Sequence, residues 1–450
     1  MKSELYVAPV LNTISGAKCN AGLDVSELCK ESIRGRDIVV INPYCAGGGD
    51  HELANKIGNI ALEEGCRVTV VPVSVADASK ELPHRNPSLA GAHTIGDLNN
   101  PMFIVSPVGI LPTEVLRKKL QDIRDTYNFK LQDVMLVEEM DRTVSDPSLG
   151  LPEREGMLKA LGFQVVESKK LGFSQGAIGY LPVDKHTVQM IKDRVSRELG
   201  KLLDGYNFSL HANANYNLAY ISSDDAVSNS KVFINNTLAD SVGDERDVNY
   251  IMVLRKLDKQ MEKKLVAGVD EVLNYQEENV YDFPSLYSNV KIYVADTREH
   301  RLSLEKDIVG QGRRNVNIVL VDFLPKNIFL DFVSLSHSGM ASGDQSLGEF
   351  LSLTGKVPYY DMQPWKLPLG RSLLDKAKEQ GGDELLPLVA KKIPGSAYLI
   401  SQEVPIYTPH INRPDEPKAV TAALSKLDKD VSAHTGDGHI RNFVRSGAPG

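Results

Sequence analysis

Cysteine is scarce: only Cys19, Cys29, Cys45 and Cys66 occur among 450 residues. None forms a C-x-x-C pair or stands at zinc spacing from a histidine, so neither a disulfide framework nor a structural zinc site is expected. Long apolar runs are lacking as well. The stretch 318–321 falls far short of the roughly 20 residues that a membrane-spanning helix needs, and Lys2-Ser3-Glu4 lead into no apolar signal-peptide core. The expectation is a cytoplasmic chain, or one exported without a cleaved signal. A basic surplus is also missing, because 51 Lys plus Arg face 59 Asp plus Glu for a formal charge of −8. That balance argues against nucleic acid or an anionic membrane as the main partner.

What is present is an ordinary globular composition, 42% apolar and 24% charged, on a chain long enough for two or three domains. Strand and amphipathic-helix patterns alternate, the mark of an α/β fold. Ile38-Val39-Val40-Ile41 is a short β-branched run that predicts a strand covered on both faces. It opens into the loop 42–51. Leu53, Ile57, Ile60 and Ala61 then share one face of a helix that Gly65 can end, and 67–73 reads as the next strand. Further strands are expected at 102–105, 134–137 and 162–166. Val188, Ile191, Val195, Leu199 and Leu202 mark a helix closed by Gly205, near which a domain boundary is expected.

A second set follows: a strand at 217–222, a helix over 250–275, strands at 290–295, 316–323 and 332–336, a helix over 347–353 ended by Gly355, and a short strand at 356–360. From about 401 onward Pro, Asp, Lys and Ser are frequent, which predicts a loosely packed tail. The expected domains are thus 1–205, 206–400 and a tail over 401–450.

Two strand-to-helix loops can carry chemistry. In the first, Gly47, Gly48 and Gly49 precede Asp50 and His51. Glycines there admit a ligand to the backbone, and a helix start offers N–H groups and a positive dipole end to an anion. The pattern is neither G-x-G-x-x-G nor G-x-x-x-x-G-K-[ST], and the structural alternative is a turn with Asp50 as helix N-cap. In the second loop, Gly343, Asp344, Gln345 and Ser346 lead to Glu349. Gly343 allows close approach, Ser346 and backbone amides suit phosphate oxygens, and Glu349 suits the two hydroxyls of a ribose. Ser346 and Glu349 also spell an S-x-x-E capping box, which needs no ligand.

Taken together, a Gly-rich first loop with an acid and a C-terminal Gly343-Asp344-x-Ser346-x-x-Glu349 element before a helix resemble the GT-B superfamily of glycosyltransferases. Within it, Gly49-Asp50, Asp344-Gln345-Ser346 and Gly355-Lys356-Val357-Pro358 are similar to motifs of bacterial protein-arginine rhamnosyltransferases. Where that family has Asn-Tyr before its Gly-Asp, this chain has Gly47-Gly48. The resemblance implies two Rossmann-like domains facing a cleft, a nucleotide-diphosphate sugar as co-substrate, no separate cofactor and no metal. It further implies Gly48, Gly49, Gly343, Asp344, Gln345, Ser346 and Glu349 as donor-binding residues and Asp50 as the catalytic group, with an acceptor that is a protein in that family.

On that reading the leaving diphosphate is stabilised by amides near 343–346, helped by Lys356 or Lys366. Asp50 is the first choice of general base, His51 stands beside it, and Glu139 and Asp141 are in reserve. Asp428-Lys429-Asp430 reads as a solvated face, and His434, Asp437 and His439 as a weak metal-like grouping. Trp365 suits stacking on a base or closing the cleft, although a lone Trp is more often core, while the three-glycine segment 172–180 is a turn or a loop lining the cleft. A sugar-nucleotide epimerase, a dinucleotide-dependent oxidoreductase and a non-catalytic binding protein are the alternatives.

Overall fold

The structure is a computed structural model that describes residues 36–44, 48–74, 98, 101–109, 113–127, 133–143, 150–199, 213–274, 283–296, 301–395 and 418–446. Gly47, Gly205 and three of the cysteines, Cys19, Cys29 and Cys45, lie outside the described residues. Packing divides the chain into two compact units, Met1–Leu181 with His434–Gly450, and Pro182–Ala433.

In the first unit, β1 (Asp37–Tyr44), β2 (Arg67–Ser74), β3 (Met102–Val105), β4 (Asp133–Glu138) and β5 (Val165–Lys170) form a parallel sheet in the order β2-β1-β3-β4-β5. Ile38, Val39, Val40 and Ile41 are wholly buried, which is why this strand reads as an unbroken apolar run instead of an alternating one. The helices of this unit are α1 (Gly49–Glu63), α2 (Thr113–Tyr127), α3 (Leu151–Ala160) and, from the far end of the chain, α12 (Asp437–Ser446).

The second unit carries a seven-stranded sheet in the order β12-β11-β6-β7-β10-β8-β9. Its strands are β6 (Ala214–Ile221), β7 (Asp247–Leu254), β8 (Tyr287–Asp296), β9 (Arg301–Val309), β10 (Arg314–Val321), β11 (Ser336–Ala341) and β12 (Tyr359–Tyr360). All neighbours are parallel except the β8–β9 edge pair. Its helices are α4 (Lys185–Glu198), α5 (Ala226–Asp240), α6 (Lys259–Asn274), α7 (Phe283–Leu286), α8 (Lys326–Leu335), α9 (Asp344–Thr354), α10 (Leu367–Ala390) and α11 (Lys418–Ala433). The α/β class expected from the sequence is the observed one, with a parallel sheet in the first unit and a mostly parallel one in the second.

Several expected elements differ. The stretch 247–254 is strand β7, buried along its length, and the helix starts only at Lys259. Residues 332–335 lie in α8, which buries Phe329, Phe332 and Val333 at helical spacing; the strand begins at Ser336. Where the sequence set a boundary near 205, the structure divides after Leu181, because α4 packs on α8 and its Arg194 forms a bidentate pair with the buried Asp331 at 2.7–3.1 Å.

Of the expected loose tail, 401–417 and 447–450 lie outside the described residues, and the rest is corrected: α11 and α12 are helices that bury Val420, Leu427 and Val431, and Ile440, Phe443 and Val444. The i, i+3, i+4 spacing of the last three residues is a short apolar stripe that the surrounding polar composition conceals.

α12 is also held electrostatically. Arg445 donates to Glu64 at 2.7 and 2.9 Å, and Arg441 donates to Glu64 at 2.8 Å and Glu63 at 2.6 Å. Burial pushes the Glu64 carboxyl up, but the hydrogen bonds from Arg445 and Arg441 outweigh it and hold it below its ordinary value of 4.5. A carboxylate depressed on folding contributes stability that is whole above its unfolded value and is lost as pH falls through the folded one. Glu64→Gln is therefore expected to lower the melting temperature at pH 7 by the loss of about 1–2 kcal/mol, with the gap to the parent closing below pH 4.5. Thermal melts across pH 3 to 7 check this, and a gap that stays constant with pH would refute the linkage.

Candidate functional site

In an open parallel sheet, ligands gather at the carboxyl ends of the strands where the strand order reverses. Each unit has one such place. In the first, β1 lies between β2 and β3; in the second, β6 lies between β7 and β11. The helices that follow β1 and β11 begin there, so Gly48, Gly49, Asp50 and His51 come together in the first unit and Gly343, Asp344, Gln345, Ser346 and Glu349 in the second.

At the first switch point the wholly buried Asn42 organises the loop. Its amide nitrogen donates to the carbonyls of Pro43, Asp50 and Ser106 at 3.2, 3.0 and 3.0 Å. Three carbonyl acceptors fix which side of the amide is NH2, so Oδ1 faces His51 Nδ1 at 2.7 Å and must accept. His51 therefore carries its proton on Nδ1 and presents Nε2 as the basic nitrogen. Its ring also rests on Tyr44, with centroids 4.3 Å apart. Asp50 is not an N-cap: that position is Gly48, and Asp50 lies in the first turn, where its charge complements the helix dipole.

At the second switch point Gly343 caps α9 with φ of +86°, a conformation that a Cβ would strain, and a Cβ there would meet nothing within 4 Å. The backbone is thus open to an approaching group. The capping box does not form. α9 starts at Asp344, and Ser346 instead receives the Ser342 N–H at 3.0 Å and donates to the Ser342 carbonyl at 2.9 Å. Glu349 is buried and bonded to Lys326 of α8. Asp344 is paired with the buried Lys366 at 2.8 Å.

The centre of this place is a residue absent from the sequence reading, Asp361, which has no exposed surface. It accepts from the Ser222 and Ser223 N–H groups at 2.9 Å each, from Ser342 Oγ at 2.7 Å, and from Ser223 Oγ and Asn229. Because Ser342 donates to Asp361, Ser222 Oγ must donate to Ser342 at 2.6 Å, and Gln363 in turn donates to Ser222 at 3.2 Å. One carboxylate thereby ties the loop after β6 to the loop after β11. Beside it lies a small cleft lined by Ser222, Ser223, Asp224, Arg255 and Lys256. Tyr220 is half-buried at the same strand end. Burial raises its hydroxyl pKa, Arg255 and Lys326 oppose that, and Glu349 and Asp361 add to it.

Other expected residues take structural places. Asp141 accepts from the Phe173 and Ser174 N–H groups at 2.6 and 3.1 Å and lies 3.4 Å from Lys170. It occupies the space a Cβ at Gly172 would need, 2.3 Å away, so the glycine-rich segment is a turn folded around a carboxylate. Glu139 lies 3.7 Å from Arg142. Asp428 is not part of a solvated face, since it accepts the Val357 N–H at 2.8 Å. His434 packs edge-on to Phe173. Lys366 is committed to Asp344, and Lys356 follows the far end of α9, an 11-residue helix roughly 16 Å long, so neither serves the Gly343 loop as a separate cation. Trp365 is half exposed instead of core.

No family model and no curated protein sequence matches the chain. Among solved structures it is similar to an α,α-trehalose-phosphate synthase (UDP-forming) from Burkholderia vietnamiensis, at 10% identity over 93% of this chain and 99% of that one, with a TM-score of 0.38. It is also similar to the E. coli structure described as trehalose-6-phosphate bound with UDP-2-fluoro glucose, at 9% identity over 91% and 99%, with a TM-score of 0.42. A third is a UDP-GlcNAc 2-epimerase from Neisseria meningitidis bound to UDP-GlcNAc, at 8% over 91% and 97%, with a TM-score of 0.35. Likeness this loose carries no residue role and no activity across.

The chemistry must come from the two strand ends themselves. The first offers an imidazole whose tautomer is fixed by a buried amide. The second offers an uncovered glycine, a helix start, hydroxyl-bearing loops locked by Asp361, and the cations Arg255 and Lys326 nearby. Asp361 left no mark in the sequence because its partners are up to 139 residues away. Arg255 was readable in principle as a cation just past a buried strand, had 247–254 been read as one.

Proposed function

We propose that the chain is a glycosyltransferase of the GT-B type, moving a sugar from a nucleotide-diphosphate sugar to an acceptor. The observation that carries this reading is the second switch point, where a buried carboxylate fixes two loops around an open glycine at a helix start. Amides there, with Arg255 and Lys326, suit a diphosphate whose negative charge grows as it leaves. The stabilisation then rests on the chain's own groups and needs no metal. Glu349, buried against Lys326, is assigned to holding that lysine and not to a ribose. Trp365, exposed beside Lys366, suits stacking on the base.

In the first unit His51 Nε2 is assigned as the general base that takes the acceptor's proton as its oxygen or nitrogen attacks the anomeric carbon and the bond from that carbon to the phosphate oxygen breaks. Asp50, within the same turn, stabilises the helix start. The resemblance to arginine rhamnosyltransferases makes a protein side chain the first acceptor class to try.

A thermal-shift panel with UDP, GDP, dTDP, CMP and NAD tests the donor site. One nucleoside diphosphate at about 100 times its Kd is expected to add about 2.7 kcal/mol, a shift of roughly 5–10 °C. Arg255→Ala should remove most of that shift with the unliganded melt unchanged, since the side chain is exposed. A shift with NAD alone, or none with any diphosphate, would overturn the donor assignment; conversion of a donor sugar to its epimer without an acceptor would establish the epimerase reading instead.

A further inference from the structure

A groove of about 510 Å³ in the second unit lies at the opposite end of the sheet from the switch point. It opens at the amino ends of β6 and β11, one length of β6 away, eight residues or roughly 25 Å. Val195, Leu199 and Tyr216 form part of its lining, and Arg246, His337 and Lys356 supply its charge.

A break in the sheet aims the histidine. The β6–β11 register shifts between Ser336 and Ser338, and the Ser338 N–H turns to Asn217 Oδ1 at 3.1 Å. His337 is the extra residue, and such a bulge directs a side chain out of the ladder. Arg246 is held in place by Asp244 at 2.5–3.1 Å, and Asp244 is itself fixed by Asn215 at 2.8 Å. Two further acids lie nearby: Asp240 pairs with Lys391 at 3.1 Å, and Asp428 lies against Lys392 and Lys356. Those three lysines thus face two carboxylates. His337 is exposed, but partial desolvation, and then the cations Lys356 and Arg246, lower its pKa, with Asp244 and Asp240 only partly offsetting them.

We propose that this groove is a second ligand site, separate from the donor site, that binds a small molecule carrying a phosphate group. Lys356 and Arg246, the latter aimed by Asp244, suit a dianion, the titratable imidazole gains a proton when the dianion arrives, and Val195 and Leu199 in the lining offer contact to an organic remainder. The same dianion can come as inorganic phosphate or as a phosphate ester. The proposal stands apart from the glycosyltransferase reading, because no residue of the groove belongs to either switch point.

The test is a histidine-ring NMR titration of the full chain with inorganic phosphate, with glycerol 3-phosphate and with chloride at matched ionic strength, the His337 signal being the one missing from His337→Gln. Expected is a saturable upward shift of the His337 midpoint with the phosphate probes and none with chloride. A tighter response to glycerol 3-phosphate identifies an ester site, and an equal one identifies phosphate itself. Lys356→Glu, at an exposed position past a helix end, should weaken binding tenfold or more. Calorimetry on Arg246→Gln gives the same reading if Lys356→Glu melts early. A shift that does not saturate, one that chloride reproduces, or binding that survives both charge changes would overturn the proposal.

Discussion

Replacing His51 with alanine is expected to lower sugar transfer by about 10²–10⁴-fold and to leave the nucleotide-induced thermal shift unchanged. The size follows from what the side chain supplies. His51 Nδ1 meets Asn42 Oδ1 at 2.7 Å, and Asn42 cannot turn its amide over without losing three carbonyl partners. The imidazole is thus held in one tautomer, with Nε2 as its basic nitrogen. A base so fixed acts in the transition state and contributes little to holding the donor, so kcat should fall while donor affinity stays. Asp50→Asn separates this from the rival assignment. With Asp50 in the first turn of α1, its loss is expected to cost a few tenths of a kcal/mol of stability, about 0.3–1, and less than tenfold in rate. If Asp50→Asn abolishes transfer and His51→Ala does not, the base is Asp50 and the tautomer argument fails.

How much of this was legible depends on the reach of each signal. The opening strand, loop and helix were readable because a β-branched run buried on both faces, a glycine-rich turn and an apolar helix face are all local patterns. Helix α5 was not readable for the opposite reason. It buries Val232, Phe233, Ile234 and Leu238, but also Asn229, Ser230, Asn235, Asn236 and Thr237, so no polar face alternates with an apolar one and the helical period vanishes. The stretch 332–336 looked like a strand because its branched residues fall in a short window. Extended back to Phe329, the same residues show helical spacing. The first-loop candidates were within reach, since Asp50 and His51 follow the glycines directly. What the sequence could not supply was the tautomer, which depends on a buried amide nine residues away and on a carbonyl at Ser106. Nor could it show that Glu349, which looks like a ribose ligand or a capping residue, is occupied by Lys326.

Replacing Asp361 tests the second switch point more severely than any change to the glycines, since it removes the group on which two loops converge. In Asp361→Ala the Ser222 and Ser223 N–H groups and the Ser342 hydroxyl lose their acceptor inside the protein. At about 1–3 kcal/mol for each buried donor left unmade, the loss should reach about 3 kcal/mol or more, a fall in melting temperature of roughly 6–12 °C. Nucleotide binding should fall further than stability alone explains, because the loops before α5 and α9 would no longer be held together. Asp361→Asn divides the two effects. It keeps the volume and one acceptor oxygen but turns an NH2 toward groups that already donate, so it should fold with a smaller loss while still weakening nucleoside diphosphate binding at least tenfold. The change of His51 predicted above should be additive with it in stability, since the two residues lie in separate units. If Asp361→Asn binds the nucleotide as the parent does, the buried carboxylate is a fold device alone, and the diphosphate belongs elsewhere. If it folds but no longer binds, the donors that Asp361 holds in place are the ones that shape the donor site.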